Sequence, residues 1–218
     1  MAQPLYVFDA YGTLFDVHAA IARHRAAAGP DADRFSETWR QKQLEYTWTL
    51  SLAGRYADFW TLTARALDFA FARYPSVDRA LRAPLLDAYF TLAAFPDAKA
   101  ALARLKAAGH HTAILSNGSP AMLAAAVANS QLDGVLDAVL SVDVLRFYKP
   151  RAEVYALVTA HFSCAPGEVM FVSSNRWDVM GAVAFGFRGI WVNRAGNPDE
   201  YADCAPLRTI ADLSALPG

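Results

Sequence analysis

The sequence predicts an α/β protein with a Rossmann-like, mostly parallel three-layer sheet and an inserted helical cap. One observation is a buried-strand pattern that begins at Leu5, close to the start of the chain. Another is the segment 16–94, in which only helical patterns occur. The third is a repeated strand-then-helix order from His111 onward. This order is typical of a mostly parallel sheet that carries helices on both faces.

The first predicted strand spans residues 5–8 and ends on a carboxylate. Its residues are apolar, aromatic or β-branched, as in strands buried on both faces. Asp9 follows directly, and Gly12 completes a turn. Ligands of open α/β sheets bind at the carboxyl ends of the strands, so Asp9 is a candidate for chemistry. The alternative is that Asp9 only begins the turn.

A helical insertion is predicted between the first and second strands. Aromatic and aliphatic residues recur at helical spacing over 35–52, 57–74 and 78–93. Breaks are predicted at Gly29-Pro30-Asp31, at Gly54 and at Pro75. We expect residues 16–94 to form a cap that excludes water from Asp9. Residues 1–15 and 95–218 would then form the Rossmann-like core.

Strands and helices are predicted to alternate in the remainder of the chain. Helices are expected over 97–108, 120–128, 154–162 and 177–185, and strands over 111–115, 139–142, 169–173 and 189–193. Gly109 is expected to end the first of these helices, and Ser119 and Pro120 to begin the second. The chain after Pro198 shows no clear pattern.

Composition excludes several classes of partner. The chain has 218 residues, of which 55% are hydrophobic and 19% are charged, and its net charge is -1. This balance does not suggest binding to nucleic acid or to an anionic membrane. No apolar run approaches the ~20 residues that a membrane helix needs, and no signal peptide is recognisable. Cys164 and Cys204 lack a metal or redox spacing. We therefore expect a cytoplasmic protein with reduced cysteines.

The segment Phe8-Asp9-Ala10-Tyr11-Gly12-Thr13-Leu14 resembles the first motif of the haloacid dehalogenase superfamily, whose aspartate is a nucleophile. Phosphatases of that superfamily carry a second aspartate two residues later, where this chain has Tyr11. A phenol with a pKa of about 10 cannot replace that acid and base at neutral pH. The motif therefore suits a leaving group that needs no proton, such as a halide, and resembles the L-2-haloacid dehalogenase branch.

Three further polar clusters follow predicted strands and resemble the other core motifs of the superfamily. They are Ser116-Asn117, Lys149, and Ser173-Ser174-Asn175-Arg176-Trp177-Asp178. Taken singly, each cluster has an ordinary alternative. Ser116-Asn117 could form a simple turn, Lys149 could be a solvated surface lysine, and Asp178 could cap the following helix. Magnesium-dependent phosphatases usually place an aspartate where Ser174 stands, so we expect no metal here. We expect the position of Arg176 to be free to vary.

The predicted cap also resembles that of the dehalogenases. Arg40 and Leu44 lie four residues apart, so both can face the core from one side of a helix. Arg40 corresponds to an arginine that meets the halogen, and Phe59 to a pocket phenylalanine. The alternatives are an exposed helix arginine and an ordinary core phenylalanine.

The resemblance implies hydrolysis of an L-2-haloalkanoate to the D-2-hydroxy acid and halide. The implied path is an ester at Asp9 with inversion at C2, then hydrolysis by a water that Asp178, Asn175 and Lys149 position and activate. No cofactor is implied. The implied catalytic residues are Asp9, Thr13, Arg40, Ser116, Lys149, Ser173, Asn175 and Asp178. The implied substrate pocket consists of Tyr11, Gln41, Leu44, Phe59, Asn117, Tyr155 and Trp177.

Particular roles follow from motif position. Thr13 and Ser173 are expected to donate hydrogen bonds to the Asp9 carboxylate. Lys149, with Ser116 and the Asn117 amide, would meet the substrate carboxylate. The expected partners are a small anionic haloacid, its halide and, as in much of the family, a second copy of the chain in a homodimer. A superfamily phosphatase and an inactive binding module remain as alternatives.

Overall fold

The structure is a computed structural model and describes residues 4–217. In that part of the chain, one sheet of six parallel strands has the order β3-β2-β1-β4-β5-β6. The strands are β1 (Leu5–Phe8), β2 (His111–Ser116), β3 (Ala138–Ser141), β4 (Val169–Ser173), β5 (Arg188–Val192) and β6 (Arg208–Ile210). The predicted α/β fold class with a mostly parallel sheet is confirmed.

Strand β1 lies in the middle of the sheet and all four of its residues are buried. Phe8, its last residue, pairs with Ile114 of β2 and with Val172 of β4. The chain then turns at Gly12, whose φ of +97° favours glycine. Asp9 is therefore fixed at the carboxyl edge of the sheet, between two neighbouring strand ends.

The helices fall into two groups. Those within segment 16–94 are α1 (Ala19–Ala22), α2 (Arg25–Ala28), α3 (Ala32–Leu52), α4 (Phe59–Arg73) and α5 (Arg82–Phe90). Those that alternate with strands are α6 (Ala98–Ala107), α7 (Pro120–Asn129), α8 (Ala152–Phe162) and α9 (Arg176–Phe185). Short 3-10 helices occupy Gly29–Asp31, Arg79–Leu81, Asp133–Val135, Val142–Leu145, Pro166–Glu168, Ala202–Cys204 and Leu213–Ala215.

Helices α3 and α4 pack against each other through one buried face each. The Phe35 and Phe71 rings meet edge to face with centroids 5.0 Å apart. Trp39 Nε1 donates a hydrogen bond to the carbonyl of Thr63 at 2.9 Å. Asp58 caps α4 by accepting the backbone N–H of Thr61. These contacts make the pair a firm support for side chains that point toward the sheet edge.

The sequence did not predict three details of the fold. Strand β6 lies in the tail that showed no pattern. The predicted helix over 78–93 is shorter, because Asp78 caps a 3-10 turn before α5 begins. Ser119 occupies the position before α7, but its side chain makes no capping hydrogen bond.

Arg176, expected to be free to vary, makes specific contacts in this chain. Its side chain is buried, and its Nε donates to Asp199 at 2.7 Å. Its Nη2 donates to the carbonyls of Tyr201 and Cys204 at 2.6 Å and 3.0 Å. Arg176 therefore ties the C-terminal segment to the start of α9.

None of the helices within residues 4–217 is both long enough and apolar enough to span a membrane. The cytoplasmic location and the homodimer remain predictions. Cys164 and Cys204 are both free thiols.

Candidate active site

The site forms where the carboxyl ends of three neighbouring strands meet. Asp9 follows β1, Ser116 ends β2 and Ser173 ends β4. Lys149 arrives from the loop between β3 and α8, and Asp178 from the first turn of α9. The strand order therefore brings together side chains that are up to 169 positions apart in the sequence.

Both oxygens of the Asp9 carboxylate accept hydrogen bonds. Lys149 Nζ donates to Oδ1 at 3.1 Å, and Asn175 Nδ2 and Thr13 Oγ1 donate to Oδ2 at 2.8 Å and 3.0 Å. Thr13 Oγ1 also accepts the backbone N–H of Ser174 at 2.8 Å. Its own proton goes to the charged Asp9 oxygen at 3.0 Å in preference to the neutral Ser174 Oγ at 3.2 Å. These donors hold the carboxylate in one orientation.

Lys149 bridges two buried carboxylates. Its Nζ lies 3.1 Å from Asp9 and 2.8 Å from Asp178 Oδ2, and the side chains of Lys149 and Asp178 are fully buried. The Tyr155 hydroxyl donates to Asp178 Oδ1 at 2.8 Å. Tyr155 thus lies behind Asp178, where it supports the polar network, and is absent from the residues that line the cavity around Asp9.

Burial and charge shift the pKa values of this cluster. Burial raises the pKa of Asp178 to about 6, and the nearby Asp9 charge adds to this rise while Lys149 opposes it. Burial by itself lowers the pKa of Lys149, but Asp178 and Asp9 outweigh burial and raise it. Lys149 is therefore a permanent cation at neutral pH, whereas Asp178 titrates close to neutrality.

A small cavity opens on the Asp9 carboxylate. The volume open to the centre of a water molecule is about 10 Å³, which is close to the minimum that one water needs. The cavity is therefore tightly closed over the Asp9 carboxylate, and any substrate must widen it on entry. Its walls are Asp9, Tyr11, Arg40, Leu44, Phe59, Ser116, Asn117, Asn175 and Trp177.

Arg40 lies on helix α3 and lines this cavity. Its Nη2 donates to the carbonyl of Tyr11 at 2.9 Å, and its Nη1 donates to Gln43 Oε1 at 2.8 Å. Leu44, one turn later, lines the same cavity. Gln41, by contrast, is exposed and is not among the cavity residues. The reason is that neighbouring helix positions point in different directions, so Gln41 cannot share the face of Arg40.

Ser173 makes a contact other than the one predicted, and Ser116 and Asn117 have partners within the protein that the sequence did not predict. Ser173 Oγ accepts the backbone N–H of Asn175 at 3.1 Å and makes no hydrogen bond to Asp9 within residues 4–217, where Asn175 fills that position instead. Ser116 Oγ accepts the N–H of Gly118 at 3.0 Å. Asn117 Oδ1 accepts the N–H of Lys149 at 3.1 Å, so it fixes the backbone from which the lysine extends.

Sequence reasoning missed the polar group behind Arg40. Gln43, Thr63 and Tyr89 are buried and connected by hydrogen bonds. The spacing of Gln43, three residues after Arg40, was the available signal. Trp48 packs its ring edge to face against that of Trp177, with centroids 5.3 Å apart.

The donor set around Asp9 does not fit a magnesium site. A hard divalent cation needs carboxylate or carbonyl oxygens that are free to coordinate it. Here Lys149 Nζ already lies between Asp9 and Asp178, and Tyr155 donates to the other oxygen of Asp178. The ammonium group thus supplies the positive charge between these carboxylates.

Comparison with known proteins agrees with this geometry. The family of haloacid dehalogenase-like hydrolases matches residues 4–186. The chain is 51% identical to (S)-2-haloacid dehalogenase 4A of Burkholderia cepacia, over 96% of this chain and 91% of that one. It is 49% identical to (S)-2-haloacid dehalogenase 1 of Pseudomonas sp. (strain CBS-3), over 97% and 93% of the two chains.

A solved structure is also similar over nearly the whole chain. It is an L-2-haloacid dehalogenase from Xanthobacter autotrophicus with chloropropionic acid covalently bound. The TM-score is 0.85 and the identity is 38%, with 97% of this chain and 96% of that one covered. The chain therefore belongs to the haloacid dehalogenase-like hydrolases and, within them, to the family of (S)-2-haloacid dehalogenases.

Proposed function

We propose that this chain hydrolyses L-2-haloalkanoic acids to D-2-hydroxy acids and halide, through an ester at Asp9 and with inversion at C2. The observation that carries the proposal is the Asp9 carboxylate, which lines a small cavity together with the cation Arg40 and is held by Lys149. The names of the relatives and the covalently bound chloropropionic acid of the similar structure support it.

Ester formation requires an anion to attack an anionic substrate. Two unit charges about 4 Å apart repel by about 4 kcal/mol at an effective dielectric constant of 20. Such repulsion alone would slow the reaction by about a thousandfold. Lys149 offsets it, because its ammonium group lies 3.1 Å from Asp9 and stays charged at neutral pH. Asp9 can then displace the halogen from C2.

Arg40 stabilises the departing halide. Negative charge grows on the halogen as its bond to C2 breaks, so a guanidinium at that side of the cavity acts mainly in the transition state. Phe59 and Leu44, which line the cavity beside Arg40, provide an apolar surface for the halogen. Ser116 and Asn117, at the other strand end, are the donors for the substrate carboxylate.

Hydrolysis of the ester needs a base, and the contacts favour Asp178. Asn175 is an amide that donates to Asp9, and Lys149 is a cation that donates to both carboxylates. Asp178 is the second carboxylate of the cluster, and its pKa of about 6 suits a base that works near neutral pH. It would take a proton from the water that attacks the ester carbonyl.

Residues 16–94 act as the cap in this proposal. The α3 residues Arg40 and Leu44 and the α4 residue Phe59 form one side of the cavity, and residues of the sheet edge form the other. Asp9 is only 6% exposed, so bulk water is excluded while the ester forms.

The test is halide release from L-2-chloropropionate in the presence of EDTA. We expect release to continue, with D-lactate as the organic product, and Asp9→Asn to abolish it. Phosphate release that depends on magnesium, with no halide release, would favour a phosphatase. In a single turnover in ¹⁸O-water, the label should appear in Asp9 and not in the hydroxy acid. Label found directly in the product would contradict the ester.

A further inference from the structure

The guanidinium of Arg40 rests on a buried glutamine. Gln43 is fully buried, and its Oε1 accepts a hydrogen bond from Arg40 Nη1 at 2.8 Å. The only other described acceptor of the Arg40 side chain within residues 4–217 is the carbonyl of Tyr11. One main-chain oxygen and one side-chain oxygen therefore fix where the charge of Arg40 lies.

Neighbouring hydrogen bonds fix the orientation of the Gln43 amide. Thr63 Oγ1 donates its one proton to the carbonyl of Phe59 at 2.7 Å. It must then accept from Gln43 Nε2, which lies 2.6 Å away. The amide nitrogen thus faces Thr63, and the amide oxygen faces Arg40.

Tyr89 makes the second contact to that oxygen and extends the network to a third helix. Its hydroxyl donates to Gln43 Oε1 at 3.1 Å, and its ring stacks on Tyr11 with centroids 5.9 Å apart. Tyr11 and Phe59 both line the catalytic cavity. Gln43 therefore joins α3, α4 and α5 to two cavity walls and to the one cation that lines the cavity within residues 4–217.

We propose that Gln43 is a positioning residue that holds the Arg40 guanidinium where the halide departs. The inference rests on the proposed function, because it assigns Arg40 to the leaving halide. Without the amide oxygen, Arg40 keeps one fixed acceptor, and its long side chain can leave the position in which it stabilises the transition state. The loss is then in turnover more than in substrate binding.

The direct test is Gln43→Met, which keeps the length of the side chain and removes its hydrogen bonds. Misplacement of a functional group by about 1 Å can cost about 100-fold in rate. We expect a decrease of this order in kcat for L-2-chloropropionate, with KM changed less than about threefold. The decrease for L-2-bromopropionate should be severalfold smaller, because bromide leaves more readily and depends less on Arg40.

Two further variants separate positioning from a general effect on folding. Thr63→Val releases the Gln43 amide without touching Arg40, so it should give the same preference for bromide with a smaller loss. Thr47→Val is the control, because Thr47 is equally buried on α3 and its hydroxyl has one hydrogen-bond partner among residues 4–217, the carbonyl of Leu44 in its own helix. It should leave the ratio of the bromide to the chloride rate unchanged.

A measurement that needs no turnover completes the design. In the wild-type protein, ¹⁵N NMR should show slow rotation of the Arg40 guanidinium. The Arg40 signal is assigned by its absence from the spectrum of Arg40→Lys. In Gln43→Met the rotation of the guanidinium should be fast. If Gln43→Met lowers both halide rates equally and leaves the guanidinium restrained, the positioning role is refuted. If the wild type releases no halide but Gln43→Met frees the guanidinium, the positioning role stands and the proposed dehalogenation fails.

Discussion

Lys149 is the cation that pairs with both buried carboxylates of the site. It is fully buried, and it contacts two carboxylates at 2.8 Å and 3.1 Å. Burial of a charge is tolerated only when the charge is paired and hydrogen-bonded. Lys149 therefore stabilises both carboxylates, and its removal leaves two carboxylates in the interior with no cation between them.

We expect Lys149→Met to abolish dehalogenation and to lower the free energy of unfolding by about 3–5 kcal/mol, because breaking a buried ion pair leaves a charge uncompensated. Urea denaturation at pH 7.5 measures this loss. Lys106→Met is the matched control, since Lys106 pairs with the part-exposed Asp137. Its cost should be about 0–1 kcal/mol. Equal stability of the two variants would contradict the compensating role of Lys149.

The pKa of Asp178 predicts how the hydrolysis of the Asp9 ester depends on pH. Burial raises the pKa of this carboxyl to about 6. Only the ionised form can accept a proton from water, and in the ester Asp9 no longer carries the charge that adds to this rise. The rate of ester hydrolysis should therefore fall as the pH decreases through a value below about 6 and level off above it. Rapid quench at a series of pH values measures that rate. In Asp178→Asn the ester should accumulate, and its unchanged hydrolysis would exclude Asp178 as the base.

Single residues also mark the limit of prediction from sequence. Asp9, Lys149 and Asp178 were predictable because their motif positions follow strands or begin a helix. Gln41 and Gln43 lie in the same Arg-Gln-Lys-Gln segment, and only the rotation of α3 decides that the first is exposed and the second is buried. Similarly, Asn175 and not Ser173 reaches Asp9, which depends on how the loop before α9 turns.

Among the elements, the buried strands and the edge strand β3 were predictable, whereas the other edge strand, β6, was not. Strands β1, β2 and β4 are apolar runs because each is covered on both faces. Strand β6 has only three residues, and two of them are exposed. Its structure depends on the free edge of β5, a partner that is remote in sequence and leaves no periodic pattern in the strand itself.

The C-terminal segment depends on Arg176 at the start of α9. We expect Arg176→Met to lower the free energy of unfolding by about 1.5–3 kcal/mol. The reason is that it removes the hydrogen bonds that the charged guanidinium donates to the carbonyls of Tyr201 and Cys204. Cleavage by protease between residues 195 and 206 should also become faster. Arg151→Met is the control, because Arg151 is half exposed and pairs with Glu153 on the surface. Equal resistance of both variants to protease would refute the anchoring role.

Over the whole molecule, segment 16–94 and the sheet edge meet around the loop that carries Lys149. The Tyr148 hydroxyl donates to the carbonyl of Ala57 at 2.6 Å, and its backbone N–H donates to Ser51 Oγ at 3.1 Å. Trp48 of α3 contacts Trp177 of α9. With Asp9 only 6% exposed, a substrate can reach the cavity only if these contacts open and re-form.

This arrangement predicts that a trapped ester holds segment 16–94 closed. Asp178→Asn should form the ester with L-2-chloropropionate and retain it after free substrate is removed. Hydrogen exchange followed by mass spectrometry should then slow at residues 44–60 and 142–150, because the filled cavity disfavours opening. Strand β6, far along the sheet, should exchange as before.

Asp9→Asn treated in the same way cannot form the ester and should show no slowing. Equal exchange in both variants would mean that the substrate reaches Asp9 without movement of α3 and α4, and the water-excluding role of segment 16–94 would then fail.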